Sequence, residues 1–404
     1  MTWKKRLLVI FLCTFSALSS VWGAKQSVHV PHPPTLGIAP KAPMPTSFAP
    51  EVHAPYAYLV DFSTGTVLFE KNATVPMVPS SMTKLMTLYE LFSTLKKERL
   101  HLTDTLSVSD QAWRARGSRS FLNVGDRITV ENLIRCIIVH SGNDACVVVA
   151  EALGGSEALF AEMMTRTAQR LGARATQFRN ATGWPDEEHY ASAEDLALFA
   201  RRLMTDFPEY YHYFSEKEFL ISGILQRNRN ALLWRDLGVD GLKTGRTEAG
   251  GYGIVVSAQQ KGHRLIAVVN GCTSDKERIR NVEALLRWGF NGFTFYKIAR
   301  SQGPLSSAEV WLGERATVDL EPDQDICFIV PRLQAQNVKI EVVYQGPLKA
   351  PIEKGAQVAS LWISIPGKEP MEYPLFACTS VKQVSPLKRI PTAITSLLFG
   401  AQPS

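Results

Sequence analysis

The 404-residue sequence predicts an α/β (α+β) domain over residues 56–291, followed by a small all-β domain over 292–385. Three observations carry that reading. An apolar hairpin opens the first segment and leads into a helical middle. Two neighbouring apolar strands and a terminal helix close it. Past residue 293 the helical period stops, and short apolar runs alternate with turn residues. The composition, 45% hydrophobic and 20% charged, excludes a disordered chain, a collagen-like repeat and a short disulfide scaffold.

In chain order, residues 1–23 form an expected signal peptide. Lys4, Lys5 and Arg6 are its basic start, and Leu7 to Leu18 its apolar stretch. That stretch is shorter than the ~20 residues a spanning helix needs. Val21-Trp22-Gly23 suits cleavage after Gly23. The chain carries 44 basic and 38 acidic residues, and three of the basic ones stand in this leader, so the net charge falls from +6 to +3 without it. Nucleic acid is therefore not an expected partner. Residues 24–55 hold eight prolines and read as a semi-rigid spacer.

Regular structure is expected from Tyr56. AYLVDF and TVLFE flank Ser63-Thr64-Gly65 as a hairpin. From Ser80 to about Leu95 the chain is apolar and free of Gly and Pro, with Pro79 just before it, which predicts a long buried helix. Residues 130–153, 156–171 and 192–205 also read as helices. GYGIVVSAQ and HRLIAVVNG are strands, and ERIRNVEALLRWGF is a helix. The later runs EVWL, TVDL, ICFIV, VKIEVVY, VASLWIS and EYPLFA suggest a sandwich. Residues 386–404 end the chain with Lys388 and Arg389 ahead of Ile390, Ile394, Leu397 and Leu398 at helical spacing. That pattern suits peripheral contact with an anionic membrane face. The six cysteines are scattered and form no C-x-x-C, so they are read as small buried hydrophobes. The eight histidines form no zinc motif, and neither a metal nor a cofactor is expected.

Three short motifs carry chemistry: Ser81-Met82-Thr83-Lys84, Ser141-Gly142-Asn143 and Lys243-Thr244-Gly245. A serine hydroxyl is a poor nucleophile until a base takes its proton. Residues i and i+3 share a helix face, so the Lys84 amine can reach the Ser81 hydroxyl. Lysine acts as a base near neutral pH only when burial or a second cation lowers its pKa, and Lys243 is a candidate for that cation. Each motif is weak alone; Ser385-Pro386-Leu387-Lys388 also matches S-x-x-K, in the tail with no apolar helix behind it. Context decides. Ser81 opens a buried helix, Ser141 interrupts a helical run, and Lys243 is read as beginning the first of two hydrophobic strands. S-x-x-K, S-x-N and K-T-G together occur in the serine β-lactamases and penicillin-binding proteins.

PSSMTKLMT, VHSGNDA, VDGLKTGRTEAGGYG and TGTVLFEKN resemble the serine D-alanyl-D-alanine carboxypeptidases, the low-molecular-mass penicillin-binding proteins. The likeness runs from about Tyr56 to Gly289 and continues more loosely through PLKAPIEKGAQVASL. It implies a penicillin-binding/β-lactamase-like transpeptidase fold. It implies Ser81 as the acylated nucleophile, Lys84 as its base and Ser141 as a proton relay to the leaving D-alanine. Asn143 would hold the substrate's peptide amide, and Lys243 and Thr244 its terminal carboxylate. The N–H groups of Ser81 and Arg246 would form the oxyanion hole. Arg246 stands where the family often has histidine. The implied partners are a peptidoglycan stem peptide ending in D-Ala-D-Ala and β-lactam inhibitors, in an exported protein of the bacterial periplasm or outer face of the cytoplasmic membrane. A β-lactamase, an endopeptidase and a non-catalytic wall-binding module are the alternatives. The E-x-x-x-N expected of the first is missing after Glu187, Glu188 and Glu194. His140 is read as structural and the acids at 186–188 as a solvated loop. Arg278 is left between a substrate carboxylate and a surface salt bridge.

Overall fold

A computed structural model describes residues 5–8, 49–298, 300 and 303–385. The chain divides into two compact units, Ser47–Phe293 and one built on Thr294–Ser404.

The first unit is organised by a five-stranded antiparallel sheet. Its strands are β1 (Tyr56–Asp61), β2 (Val67–Lys71), β3 (Val239–Thr247), β4 (Gly251–Gln260) and β5 (His263–Cys272), in the order β2-β1-β5-β4-β3. Alternation along β5 sorts side chains into two cores. Ile266 and Val268 join one, with Met86 and Leu88; Leu265, Ala267 and Val269 join the other, with Val282 and Leu285. A strand covered on both faces needs apolar residues at every position. That is why GYGIVVSAQ and HRLIAVVNG are continuous apolar runs.

The main helices of this unit are α1 (Lys84–Lys96), α2 (Asn143–Gly154), α3 (Glu157–Leu171), α4 (Ala193–Asp206) and α5 (Asp275–Gly292), of which α4 and α5 pack directly on the sheet. Ser156, Ser192 and Ser274 cap α3, α4 and α5 by accepting from the N–H three residues on. α1 is buried almost all round, which its unbroken apolar sequence requires.

Several elements differ from expectation. The run 130–153 is a helix over Val130–Arg135, a π turn over Cys136–His140, a break at Ser141, and then α2. The preceding helix does not begin at Ser80: Ser80–Thr83 is a 3₁₀ turn. Lys243 stands mid-way along β3, a separate edge strand, rather than at the head of the first of two. The chain also joins the core earlier than Tyr56. Val52 and Ala54 are buried, and the His53 N–H donates to Asn281 Oδ1 at 2.7 Å, inside the stretch read as a spacer. Two short ribbons gave no sequence signal: Thr105–Ser107 with Arg127–Thr129, and Glu218–Ile221 with Ile224–Arg227.

The second unit is β-rich, as expected. Its strands β6 (Ser306–Trp311), β7 (Thr317–Pro322), β8 (Lys339–Tyr344), β9 (Gln357–Ser364) and β10 (Met371–Ala377) form one sheet in the order β8-β9-β10-β7-β6. Leu348–Lys349 pairs beyond β6, and Lys5–Leu8 lies antiparallel to β8 at the other edge. Ile326–Pro331 forms a ribbon with Phe293–Ile298. Phe328 and Val330 from this ribbon share a core with Leu320, Val342 and Leu361 from the sheet. One long sheet and a ribbon thus replace the two comparable sheets of a sandwich. Alternation in sequence specifies which side chains face inward, not how many sheets they come from. Among the cysteines, Cys136, Cys146 and Cys272 are buried, while Cys327 and Cys378 are only partly so. Cys13, the remainder of the leader and the tail 386–404 lie outside the described residues.

Phe199 on α4 tests the packing against the sheet. It is fully buried, and its ring lies 6.1 Å from that of Phe178. Phe199→Ala should cost about 3–5 kcal/mol. A lowered urea midpoint with unchanged slope, followed by circular dichroism, is the expected outcome. A loss below about 1 kcal/mol would show that α4 does not pack as described.

Candidate active site

The three motifs converge at one place. The Lys84 side chain is fully buried, while Ser81 remains partly open to solvent. Lys84 Nζ donates to Ser81 Oγ at 2.8 Å, to Asn143 Oδ1 at 2.7 Å and to the Thr182 carbonyl at 2.6 Å. Burial lowers its pKa from the ordinary lysine value to about 8. Arg229 is a cation that adds to the lowering, and Lys243, the candidate for that part, is coupled to Lys84 by the same repulsion. Lys243 is buried too. Its amine donates to Ser141 Oγ at 2.9 Å and to the Thr244 carbonyl at 3.1 Å. Burial, with Lys84 and Arg229 nearby, holds it well below the usual lysine range.

Local backbone sets these positions. Pro79 leads into the Ser80–Thr83 turn, where Ser80 takes φ +49° and its hydroxyl meets Thr247 Oγ1 at 2.8 Å. Gly183 presses on this turn from outside: a Cβ there would fall 1.8 Å from the Ser80 carbonyl oxygen. His189 holds the next residue. Its Nδ1 accepts from the Arg179 N–H at 3.2 Å, so the neutral ring presents Nε2–H to Thr83 Oγ1 at 2.8 Å. Burial lowers the His189 pKa to about 4, which keeps the ring neutral.

Ser141 is in the left-handed region at φ +59°, a conformation that costs a non-glycine residue about 1–2 kcal/mol. The π turn before it ends with the Gly142 N–H donating to the Cys136 carbonyl at 2.9 Å. Asp144 stabilises the adjoining loop by accepting from the N–H groups of Ser120, Leu122 and Ala145. Asn143 Nδ2 donates to the Arg116 carbonyl at 2.5 Å, which fixes Oδ1 toward Lys84. The Thr182 carbonyl is placed by Asn180, whose Oδ1 accepts from the N–H groups of Thr182, Gly183 and Trp184.

A family model described as D-alanyl-D-alanine carboxypeptidase matches residues 43–274. The chain belongs to the D-alanyl-D-alanine carboxypeptidase family. A second model, described as the C-terminal domain of penicillin-binding protein 5, matches residues 293–383. The D-alanyl-D-alanine carboxypeptidase DacD of Escherichia coli is 35% identical over 96% of this chain and 98% of its own length. Penicillin-binding protein 5 of Haemophilus influenzae superposes with a TM-score of 0.71 at 33% identity, covering 83% of this chain and 99% of that one. Penicillin-binding protein D2 of Listeria monocytogenes, in its ampicillin-bound form, superposes at 0.55 and 26% identity over 59% of this chain and 98% of that one.

Within this family member, Ser81, Lys84, Ser141, Asn143, Lys243 and Thr244 are brought together. Arg246 follows on the same strand, and its guanidinium lies 4.8 Å from the Tyr252 ring centroid. Arg278 is neither exposed nor a surface ion pair. It is buried, pairs with Asp275 and donates from Nη1 to the Gly253 carbonyl at 3.2 Å. His140 is structural: Nδ1 meets Ser120 Oγ at 3.2 Å and Nε2 meets the Phe219 carbonyl at 3.0 Å. Sequence reasoning missed Asn180, Thr182, His189 and Arg229. The Gly183 that follows Thr182 was the available signal.

Gly183→Ala should lower the thermal midpoint by several degrees. Both its φ of +79° and the Ser80 carbonyl exclude a side chain. Gly155→Ala is the control, because φ is +77° there with nothing within 4 Å. Strain alone should cost about 1–2 kcal/mol at Gly155. An equal loss at both positions would show that the close approach to Ser80 does not matter.

Proposed function

We propose that the protein removes the terminal D-alanine from peptidoglycan stem pentapeptides through an acyl-enzyme on Ser81, and that penicillin acylates the same hydroxyl. The observation that carries this reading is the coordination of Lys84. A neutral amine has two hydrogens and one lone pair. Asn143 Oδ1 and the Thr182 carbonyl only accept, so they take both hydrogens. Where the ammonium donates to Ser81 Oγ across 2.8 Å, the neutral amine thus has its lone pair left to accept from that hydroxyl. Family membership supports the reaction class, and the motif geometry supports the assignment of roles.

In the proposed cycle Ser81 Oγ attacks the carbonyl carbon of the penultimate residue, and its proton passes to Lys84 Nζ. The N–H groups of Ser81 and Arg246 stabilise the oxyanion. Lys84 then gives up that proton, which Ser141, hydrogen-bonded to Lys243, relays to the departing D-alanine nitrogen as the peptide bond breaks, leaving the Lys84 amine neutral. Water then attacks the ester and gives a proton to Lys84, which passes it to Ser81 Oγ as the shortened peptide is released, restoring the Ser81 hydroxyl. Asn143 holds a substrate amide. Lys243 and Thr244 meet the terminal carboxylate, an anion that compensates the buried amine.

Ser81→Ala should abolish covalent labelling by penicillin in mass spectrometry. Lys84→Ala should slow acylation by ~10²–10⁴. The pH dependence follows from the lowered pKa. Only the neutral amine is a base, so acylation should rise with pH up to about 8 and level off above it. A rate that stays flat between about pH 6 and 9 would remove Lys84 from the role of base.

The leader, the proline-rich segment and the tail support an exported enzyme of the periplasm or the outer face of the cytoplasmic membrane. Among the described residues, no helix is long and apolar enough to cross a membrane. The tail 386–404 is proposed to lie on anionic lipid, weakly and reversibly. The full chain should then sediment with membranes at low salt, and a chain ending at residue 385 should not. Equal partitioning of the two would refute the tail's role and leave the enzymatic reading intact.

A further inference from the structure

A cavity of about 500 Å³ opens beside the catalytic cluster. Its wall includes Asn143 and Thr182, the two residues that orient Lys84, but none of Lys243, Thr244 or Arg246. It lies on the Asn143 and Thr182 side of Lys84, with no residue of the K-T-G strand in its wall. A substrate whose terminal carboxylate meets Lys243 would lay its upstream residues toward this cavity.

The charges there are unequally engaged. Asp110 is paired with Arg114 at 2.9 Å, and Glu157 Oε1 accepts from the Ala181 N–H at 3.1 Å. Burial raises the Glu157 pKa. Arg116 is exposed, and among the described residues its guanidinium makes no hydrogen bond or ion pair. Its backbone is nevertheless fixed. The Arg116 carbonyl accepts from Asn143 Nδ2, and the Asn143 N–H donates to the Ser118 carbonyl at 2.7 Å. Gly117 between them has no room for a side chain, since a Cβ would sit 2.9 Å from the Trp184 ring and 3.0 Å from Asn143 Nδ2. A guanidinium without a partner, on a backbone tied to Asn143 and in the same cavity wall as the half-exposed Trp184, is suited to a planar anion.

We propose that this cavity is a specificity subsite in which Arg116 binds a carboxylate carried by the stem peptide upstream of its D-Ala-D-Ala end, with Trp184 as the flanking wall. The proposal rests on the carboxypeptidase reading for the identity of the ligand. Two carboxylates of a stem peptide could occupy the site: one on the side chain of the third residue, the other the free carboxylate of the second.

Binding is measured to the Ser81→Ala protein, which cannot consume its ligand. The probes are a soluble pentapeptide with a side-chain carboxylate at the third residue, the same peptide amidated there, and the same peptide amidated at the second residue. The carboxylate peptide should bind about tenfold more tightly than one of the two amides, and which amide loses affinity identifies the source. Adding Arg116→Ala should bring that ratio to about one, and Arg116→Glu should invert it. Equal affinity for all three peptides, or a ratio unchanged by Arg116→Ala, overturns the proposal. Release of D-alanine from all three peptides by the unsubstituted enzyme reports separately on the carboxypeptidase reading.

Discussion

The site depends on a primary amine taken out of water without a carboxylate beside it. Lys84 is fully buried, and among the described residues it forms no ion pair. An isolated buried ammonium is costly, and the fold meets that cost by favouring the neutral amine. Acids are close enough to have prevented this. Asp144 and Glu157 both act on Lys84 electrostatically in the sense that raises its pKa. Each is held by backbone N–H groups instead: Asp144 by those of Ser120, Leu122 and Ala145, Glu157 by that of Ala181. A direct salt bridge to either would hold the lysine pKa up and leave less of the neutral amine that can accept a proton. The hydrogen bonds that keep these two carboxylates occupied are thus as necessary to the chemistry as the contacts of Lys84 itself.

The motifs were legible because each imposes a local backbone requirement. S-x-x-K needs a helical turn after Pro79, and Ser141-Gly142-Asn143 needs a break in an apolar run that would otherwise be one helix. Both requirements are written in adjacent residues. The sheet was legible for a related reason: burial on both faces demands continuous apolar strands. What sequence could not supply were partners that meet Lys84 only through tertiary structure. Thr182 and Asn180 lie about a hundred residues from Lys84, and they contribute a carbonyl and a turn rather than a reactive group. Arg229 sits after a ribbon too short to show a period. The position of Lys243 was misjudged because β3 carries the mixed sequence VDGLKTGRT, and edge strands need no apolar continuity.

That edge position has a consequence for binding. β3 pairs with β4 on one side only, so on the other side its backbone is free of a strand partner among the described residues. An extended peptide can add there by main-chain hydrogen bonding. The Ser80–Thr83 turn lies against the same strand, with Gly245 so close that a Cβ would come 2.9 Å from the Pro79 carbonyl oxygen. A peptide laid along β3 would thus pass Ser81 in a register set by the strand, which converts recognition of its end into alignment of its penultimate carbonyl.

The charge at that end of β3 is unbalanced in a way that favours an anion. Lys243 is buried without a carboxylate partner, and Arg278 lies near enough to lower its pKa further. Arg246 and Arg278 both approach Tyr252, at 4.8 and 5.9 Å from the ring centroid. A ring quadrupole stabilises nearby cations by only about 0.5–2 kcal/mol, so it moderates this accumulation without neutralising it. Asp275 answers Arg278 alone, and Arg278 Nε is buried with no acceptor among the described residues. Among the described residues, neither Lys243 nor Arg246 forms an ion pair. On the proposed binding mode, a terminal carboxylate beside Lys243 would supply the missing negative charge, whereas a peptide continuing past this point would bring a neutral amide and leave the imbalance in place. The preference for a chain end over a chain interior then follows from electrostatics as much as from shape.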